Sequence, residues 1–313
     1  MTVEAIRWEQ DSLFLLDQRR LPHEITWLRC HSVEEVSKAI TDMVVRGAPA
    51  IAITAAYGLV LAHQRGVNRV SADQLLRASR PTAVNLAWAL DRMTGIPDED
   101  LEAEALAIHR EDAELCRQIG EFGADVLPPG AILTHCNTGA LATGGWGTAL
   151  GIVRTLAERG QSPKVYAGET RPYLQGARLT AWECVQEGID CVLVSDSMVA
   201  ALMQSGAVSS VLVGCDRVAA NGDVANKIGT YGLAVLARAH QIPFYVAMPM
   251  SSLDLQCATG ADIPLEYRDK AELRSVFGVE IAPNEVDVWN PAFDVTPAEW
   301  VTGWITEHGL WHP

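Results

Sequence analysis

Between residues 131 and 249 the chain repeats one pattern, a short continuous apolar run followed by a longer stretch of helical periodicity. The runs are AILTHC (131–136), KVYAG (164–168), DCVLVS (190–195), SSVLVGCD (209–216) and PFYVAMP (243–249). TALGIVRTLAERG, GARLTAWECVQEG, MVAALMQSG and IGTYGLAVLARAHQ lie between them. Strands without polar alternation are buried on both faces, and helical connections force neighbouring strands to run parallel. The pattern predicts an α/β fold, a Rossmann-like parallel sheet with right-handed crossovers.

The first part of the chain reads differently. A short β opening (AIRWE, SLFLLDQ, EITWLRC) gives way to helical spacing. SVEEVSKAITDMVV starts with Ser32 and has Glu35 three residues on, a capping-box signature. AIAITAAYGLVLAHQ reads as a buried helix, and TAVNLAWALDRMTG as an amphipathic one ending at Gly95. A long acidic helix follows over 98–123, and its part through 115 reads as a solvated face. The breakers in ADVLPPGA then mark a junction. Two domains are expected: residues 1–125, mainly helical and contributing phosphate-binding residues, and residues 126–313, the Rossmann-like catalytic domain.

A net charge of −15 argues against a nucleic-acid partner but leaves room for a small anion in a locally positive pocket. Seven cysteines without a CxxC pair suit neither a disulfide framework nor a zinc site, and point to a reducing cytoplasm. The charged start has no signal-peptide core, and no stretch approaches the length of a membrane span. With no HExxH or paired-carboxylate pattern, neither a metal nor a cofactor is expected.

Ligands of an open parallel sheet bind beyond the carboxyl ends of its strands, near the point where strand order reverses. Those ends carry Cys136 and the loop THCNTGALATGGWGT (134–148), then GETRP (168–172), Ser195-Asp196 and Cys215-Asp216-Arg217. The loop is neither a GxGxxG fingerprint nor a Walker motif. It suits close approach of backbone to a ligand, ahead of a helix starting near Thr148. Cys136 reads either as a reactive thiol at the rim or as a small core residue. Asp216 reads either as a carboxyl raised toward neutrality by apolar surroundings or as a helix cap or salt-bridged neighbour of Arg217. Asn226-Lys227, just before a helix, and Arg46-Gly47-Ala48, just before another, are suited to a phosphate; Arg80 beside Pro81 repeats the second arrangement. Each cation has a surface reading as well. His135 faces away from its neighbour Cys136, so a Cys–His dyad is not expected.

Seven segments in order, LLDQRRLP, VRGAPAIAITAAYG, SRPTAVNLAWALDRM, THCNTGALATGGWGTALG, ETRPYLQGARLTAWE, VGCDRVAANGDVANKIGTYGLAVLA and NPAFDVTPAE, resemble the S-methyl-5-thioribose-1-phosphate isomerase family of methionine salvage. That family is akin to regulatory subunits of the eukaryotic initiation exchange factor. The resemblance implies a homodimer that turns an aldose 1-phosphate into a ketose 1-phosphate. Relatives acting on 5-deoxyribose 1-phosphate or ribose 1,5-bisphosphate, and a non-catalytic regulatory protein, are the alternatives. It also implies that Cys136 and Asp216 are the catalytic pair, Asp216 donating the proton. Arg46, Gly47, Ala48, Arg80, Gln175, Asn226 and Lys227 carry over as substrate-binding. Cys136 would act at C1/C2, either carrying a proton through an enolate or shaping a hydride shift. Two departures bear on which sugar fits: Trp146 stands where a tyrosine is expected, and the stretch from Arg268 to Asn290 is compact.

Overall fold

The computed structural model describes residues 3–81 and 83–313; Thr82, with which the predicted amphipathic helix began, lies outside the described residues. The chain opens with an antiparallel sheet of β1 (Ile6–Glu9), β2 (Ser12–Leu16) and β3 (Trp27–Cys30). In β2, Leu13 and Leu15 are fully buried. α1 (Val33–Thr41) is capped by Ser32, which accepts from the Glu35 amide at 3.3 Å. The Glu35 carboxylate reaches back to the amide of His31 at 2.6 Å, one residue beyond the capping-box partner. α2 (Ala48–Gln64) is buried at every position from Ala50 to Ala62, as an apolar run without a polar face requires. α3 (Arg69–Ser79), α4 (Val84–Thr94) and α5 (Leu101–Val126) pack around it.

The solvated face expected on the acidic helix is only partly there. Glu102 of α5 accepts from the Trp8 indole at 2.8 Å, Glu104 and Glu111 pair with Arg92, and Asp112 accepts from the Gly144 amide at 2.5 Å. Each carboxylate has a donor from a distant element, which spacing along one helix does not reveal. The second half of α5 places Ile119 and Ala124 in the core beneath the large sheet.

That sheet is built from β4 (Ile132–Thr134), β5 (Val165–Gly168), β6 (Cys191–Val194), β7 (Ser210–Val213), β10 (Phe244–Ala247), β15 (Gly303–Thr306) and β16 (Gly309–Trp311), in the order β16-β15-β10-β7-β4-β5-β6. All neighbours are parallel except the closing hairpin β15–β16. Helices α6 (Ala149–Glu158), α7 (Ala181–Glu187), α8 (Val199–Gln204) and α9 (Thr230–Ala239) provide the connections. The chain is therefore α/β with a parallel sheet. Strands β4, β5 and β6 step outward in one direction, and β7 then returns to the other side of β4. The order reverses between β4 and β7, the strands that lead into Cys136 and Asp216.

A second, four-stranded sheet stands beyond the end of β7. It joins β8 (Arg217–Ala219), β9 (Val224–Lys227), β11 (Leu253–Asp254) and β14 (Phe293–Thr296). Asn226 and Lys227 end β9 and stand just ahead of α9, whose N-cap is Gly229. The hairpin turns at Asn221–Gly222, and its strands RVA and VANK mix charged or polar with apolar residues, so neither reads as a continuous apolar run. The segment between β11 and β14 adds α10 (Ala271–Arg274) and a small hairpin, β12 (Ser275–Val276) with β13 (Val279–Glu280). No helix among the described residues is long and apolar enough to cross a membrane.

Candidate active site

At the reversal of strand order a cavity of about 160 Å³ opens, on a measure by which one water needs roughly 10–15 Å³. All nine residues singled out in the sequence line it: Arg46, Gly47, Ala48, Arg80, Cys136, Gln175, Asp216, Asn226 and Lys227.

Cys136 is half-buried and holds a left-handed backbone, φ 59°, uncommon for a residue with a Cβ. Two threonines fix it: its amide donates to Thr170 Oγ1 at 2.8 Å, and its carbonyl accepts from Thr180 Oγ1 at 2.6 Å. His135 turns the other way, its Nε2 2.8 Å from the Ile228 carbonyl, so the two side chains form no dyad. The glycine loop is pinned from below by Glu183, which accepts from Asn137 Nδ2 at 2.6 Å and from the Ala140 amide at 2.8 Å.

Asp216 follows β7, and its amide donates to Ala225 at 2.9 Å, tying the strand end to β9. Burial raises its carboxyl pKa above the ordinary range; Lys227, Arg46 and Arg80 pull against that shift, and Glu266 adds to it. Arg217 pairs with Asp254 at 3.5 Å, so Asp216 keeps its carboxyl for the cavity. Burial lowers the Lys227 ammonium, opposed by Cys136 and Asp216, and its Nζ lies 4.7 Å from the Phe293 ring centre.

On the opposite side Arg46, only 7% exposed, donates to the Asn137 carbonyl at 2.8 Å and so joins the first helical unit to the glycine loop. Gly47 caps α2 at φ 99°, and a Cβ there would meet the Ala142 carbonyl oxygen at 2.5 Å. Only glycine allows that approach. Gln175 precedes a π-helical turn (Gly176–Thr180) that runs into α7. Its Oε1 is buried without a hydrogen-bond partner among the described residues, on a residue of the cavity lining. Asn226 is buried and donates to Thr230 Oγ1 at 3.0 Å.

Arg80 follows α3, and its guanidinium meets Glu266 at 3.3 Å, an ion pair that no local pattern announces. Sequence reading missed Glu266 and Glu272, and named Arg268 only as the start of the compact stretch; all three line the same cavity. The signal was present as alternating charge in LEYRDKAE (265–272), with Arg268 placed four residues before Glu272. Trp146, expected to shape the pocket, is outside its lining. The indole is buried against Arg117, 3.8 Å from ring centre to guanidinium, and Nε1 donates to Thr155. The ring turns away from the cavity into the α5–α6 interface, beside Gly120 and Gly151. Arg268 and Asn290, at the ends of the compact stretch, do reach the cavity.

The arrangement brings a thiol and a protonatable carboxyl into the lining of one cavity, together with Arg46, Arg80, Arg217, Arg268, Lys227 and the N-terminus of α2. It suits proton movement on a small phosphorylated substrate.

A sequence model of the initiation factor 2 subunit family matches residues 44–313. The methylthioribose-1-phosphate isomerase of Desulforudis audaxviator is 54% identical, the alignment covering 100% of this chain and 95% of the relative. That of Chloroflexus aurantiacus is 52% identical over 100% of this chain and 96% of its own. Among solved structures, the 5-methylthioribose 1-phosphate isomerase of Pyrococcus horikoshii superposes with a TM-score of 0.93 at 43% identity, covering 99% of this chain and 92% of that one. The delta subunit of translation initiation factor eIF-2B from A. fulgidus gives 0.88 at 42% identity, with 100% and 96% covered.

Proposed function

The chain belongs to the initiation factor 2 subunit family, and from that premise we propose that it isomerises 5-methylthioribose 1-phosphate to 5-methylthioribulose 1-phosphate, the aldose–ketose step of methionine salvage. Full-length identity above 50% to enzymes named for this reaction is the observation that carries the reading. A cavity lined by both Cys136 and Asp216 supports that reading over a purely regulatory one.

Phosphorylation of the anomeric oxygen blocks a free aldehyde, so the ring has to be opened by protonating its oxygen. Asp216, raised by burial, donates that proton as the C1–ring oxygen bond breaks. Hydrogen then moves from C2 to C1 beside Cys136, and the C2 hydroxyl returns a proton to Asp216 as the ketone forms. Protons balance, and the acid is regenerated. Arg46, the first amides of α2, Arg80, Asn226 and Lys227 hold the phosphate and sugar, with Gln175 Oε1 accepting from a hydroxyl. Walls that exclude water protect the intermediate.

We divide the chain at 125/126, the first part lending Arg46, Gly47, Ala48 and Arg80 to a Rossmann-like second part. We place the protein in the cytoplasm, where its seven free thiols stay reduced. We also read it as a homodimer. β6 ends the large sheet, and Leu193 on it is 51% exposed, with Val185 and Met198 also exposed nearby in sequence. Sedimentation at micromolar concentration tests the dimer. A coupled assay of purified protein with methylthioribose 1-phosphate, 5-deoxyribose 1-phosphate and ribose 1,5-bisphosphate tests the function. Turnover of the first is expected, and no turnover of any would overturn the reading.

A further inference from the structure

The charges around the cavity are paired unevenly. Arg80 meets Glu266 at 3.3 Å, and Arg268 meets Glu266 at 3.0 Å and Glu272 at 2.5 Å. Arg46 and Lys227 have no carboxylate within ion-pair distance among the described residues. The first donates to a backbone carbonyl, and the second faces the Phe293 ring. A phosphomonoester carries a charge near −2 at neutral pH, which these two cations answer. The same segment that supplies the glutamates also lines the cavity with Ile263 and Leu265, and β14 adds Phe293, surface suited to an uncharged group.

We propose that Glu266 and Glu272 are specificity-determining residues: by neutralising Arg80 and Arg268 they leave cationic capacity for one phosphoryl group, and they turn away sugars with a second phosphate at the 5-end. This rests on the isomerase reading above and specifies its substrate class. A second phosphate in this space would have to displace a glutamate from its arginine or lie beside it. Like charges held together out of bulk water repel strongly, so discrimination comes from the repulsion as much as from any fit to the preferred sugar. Arg80 and Arg268 hold Glu266 below the usual carboxylate range against the opposing effect of burial, so it is charged at working pH.

Calorimetric binding of methylthioribose 1-phosphate and ribose 1,5-bisphosphate tests this without requiring turnover. A failure to isomerise therefore counts against the proposed function alone. Wild type is expected to bind the bisphosphate at least roughly tenfold more weakly, and the Glu266→Gln/Glu272→Gln double variant to narrow that gap by roughly tenfold or more. If the double variant does not fold, Glu272→Gln alone, which loses a partner of Arg268, is expected to narrow it in the same direction. Equal binding of both sugars by wild type overturns the proposal, as does an unchanged gap in a folded variant.

Discussion

The amide of Cys136 donates to the hydroxyl of Thr170 over 2.8 Å, so the loop after β5 fixes the residue that leaves β4. Thr170 is fully buried, and its hydroxyl in turn donates to the Gly168 carbonyl at 3.1 Å. Thr170→Val preserves shape but leaves the Cys136 amide without its acceptor, a loss of about 1–3 kcal/mol in stability. With only Thr180 left to hold the left-handed backbone of Cys136, the thiol shifts from the reacting carbons. We expect kcat to fall roughly tenfold or more with KM nearly unchanged, and Thr170→Ser to restore it. Steady-state kinetics that show no change in kcat for the valine variant would separate Thr170 from thiol placement.

Asp216 provides a pH signature. The acid form donates, so kcat/KM falls as pH rises through the Asp216 pKa. Because burial raises that pKa, the fall comes at higher pH than for an ordinary carboxyl, although Lys227, Arg46 and Arg80 limit the displacement. Asp216→Asn is expected to bind substrate yet lose roughly 10²–10⁴-fold in turnover, and its residual activity to lack that limb. A variant with near-wild-type turnover removes Asp216 from the role of general acid.

Much of this site could be read from sequence because its residues follow strand ends. Continuous apolar runs placed Cys136 and Asp216 at carboxyl termini, and β4 and β7 flank the reversal of strand order. Gln175 was found through resemblance alone, since a π-helical turn has no local sequence signature. Arg80–Glu266 joins residues 186 positions apart, and Asp112–Gly144 joins a helix to a loop, so neither has a period to betray it. The small sheet that carries Lys227 was missed because its strands, RVA and VANK among them, break the continuous apolar run that marked the strands of the large sheet. What sequence did not show is chiefly which charges meet.

Glu183 shows how a buried charge can serve the loop it never leaves. It is completely buried and pairs with Arg154 at 2.6 Å while accepting from Asn137 and Ala140. Arg154 keeps a second partner in Glu187, also at 2.6 Å. Glu183→Ala strips an acceptor from three donors at once, and we expect a loss of about 3–5 kcal/mol in urea unfolding. Glu183→Gln retains an acceptor and should cost less. Equal stability of the alanine variant and wild type would show that the glycine loop is held by something else.

Asp112 predicts a second pH effect, this one on stability. Its carboxyl sits between α5 and the glycine loop, and burial pushes it up to about 6 despite the hydrogen bonds from Gly144 and Cys116. Unfolded, it titrates near 4. Below pH 4 it is neutral in both states. Between about 4 and 6 the native state binds the extra proton, so its contribution to stability declines as pH rises through that window and is lost above it. Asp112→Asn stays neutral and still offers an oxygen to the Gly144 amide. Relative to that variant, wild type should lose on the order of 3 kcal/mol between pH 4 and pH 7. Subtraction of the two urea-unfolding series cancels other titrating groups, Asp294 among them, which burial also raises to about 6. Parallel curves for the two proteins would mean that Asp112 titrates alike in the native and unfolded states, its bond to Gly144 offsetting burial.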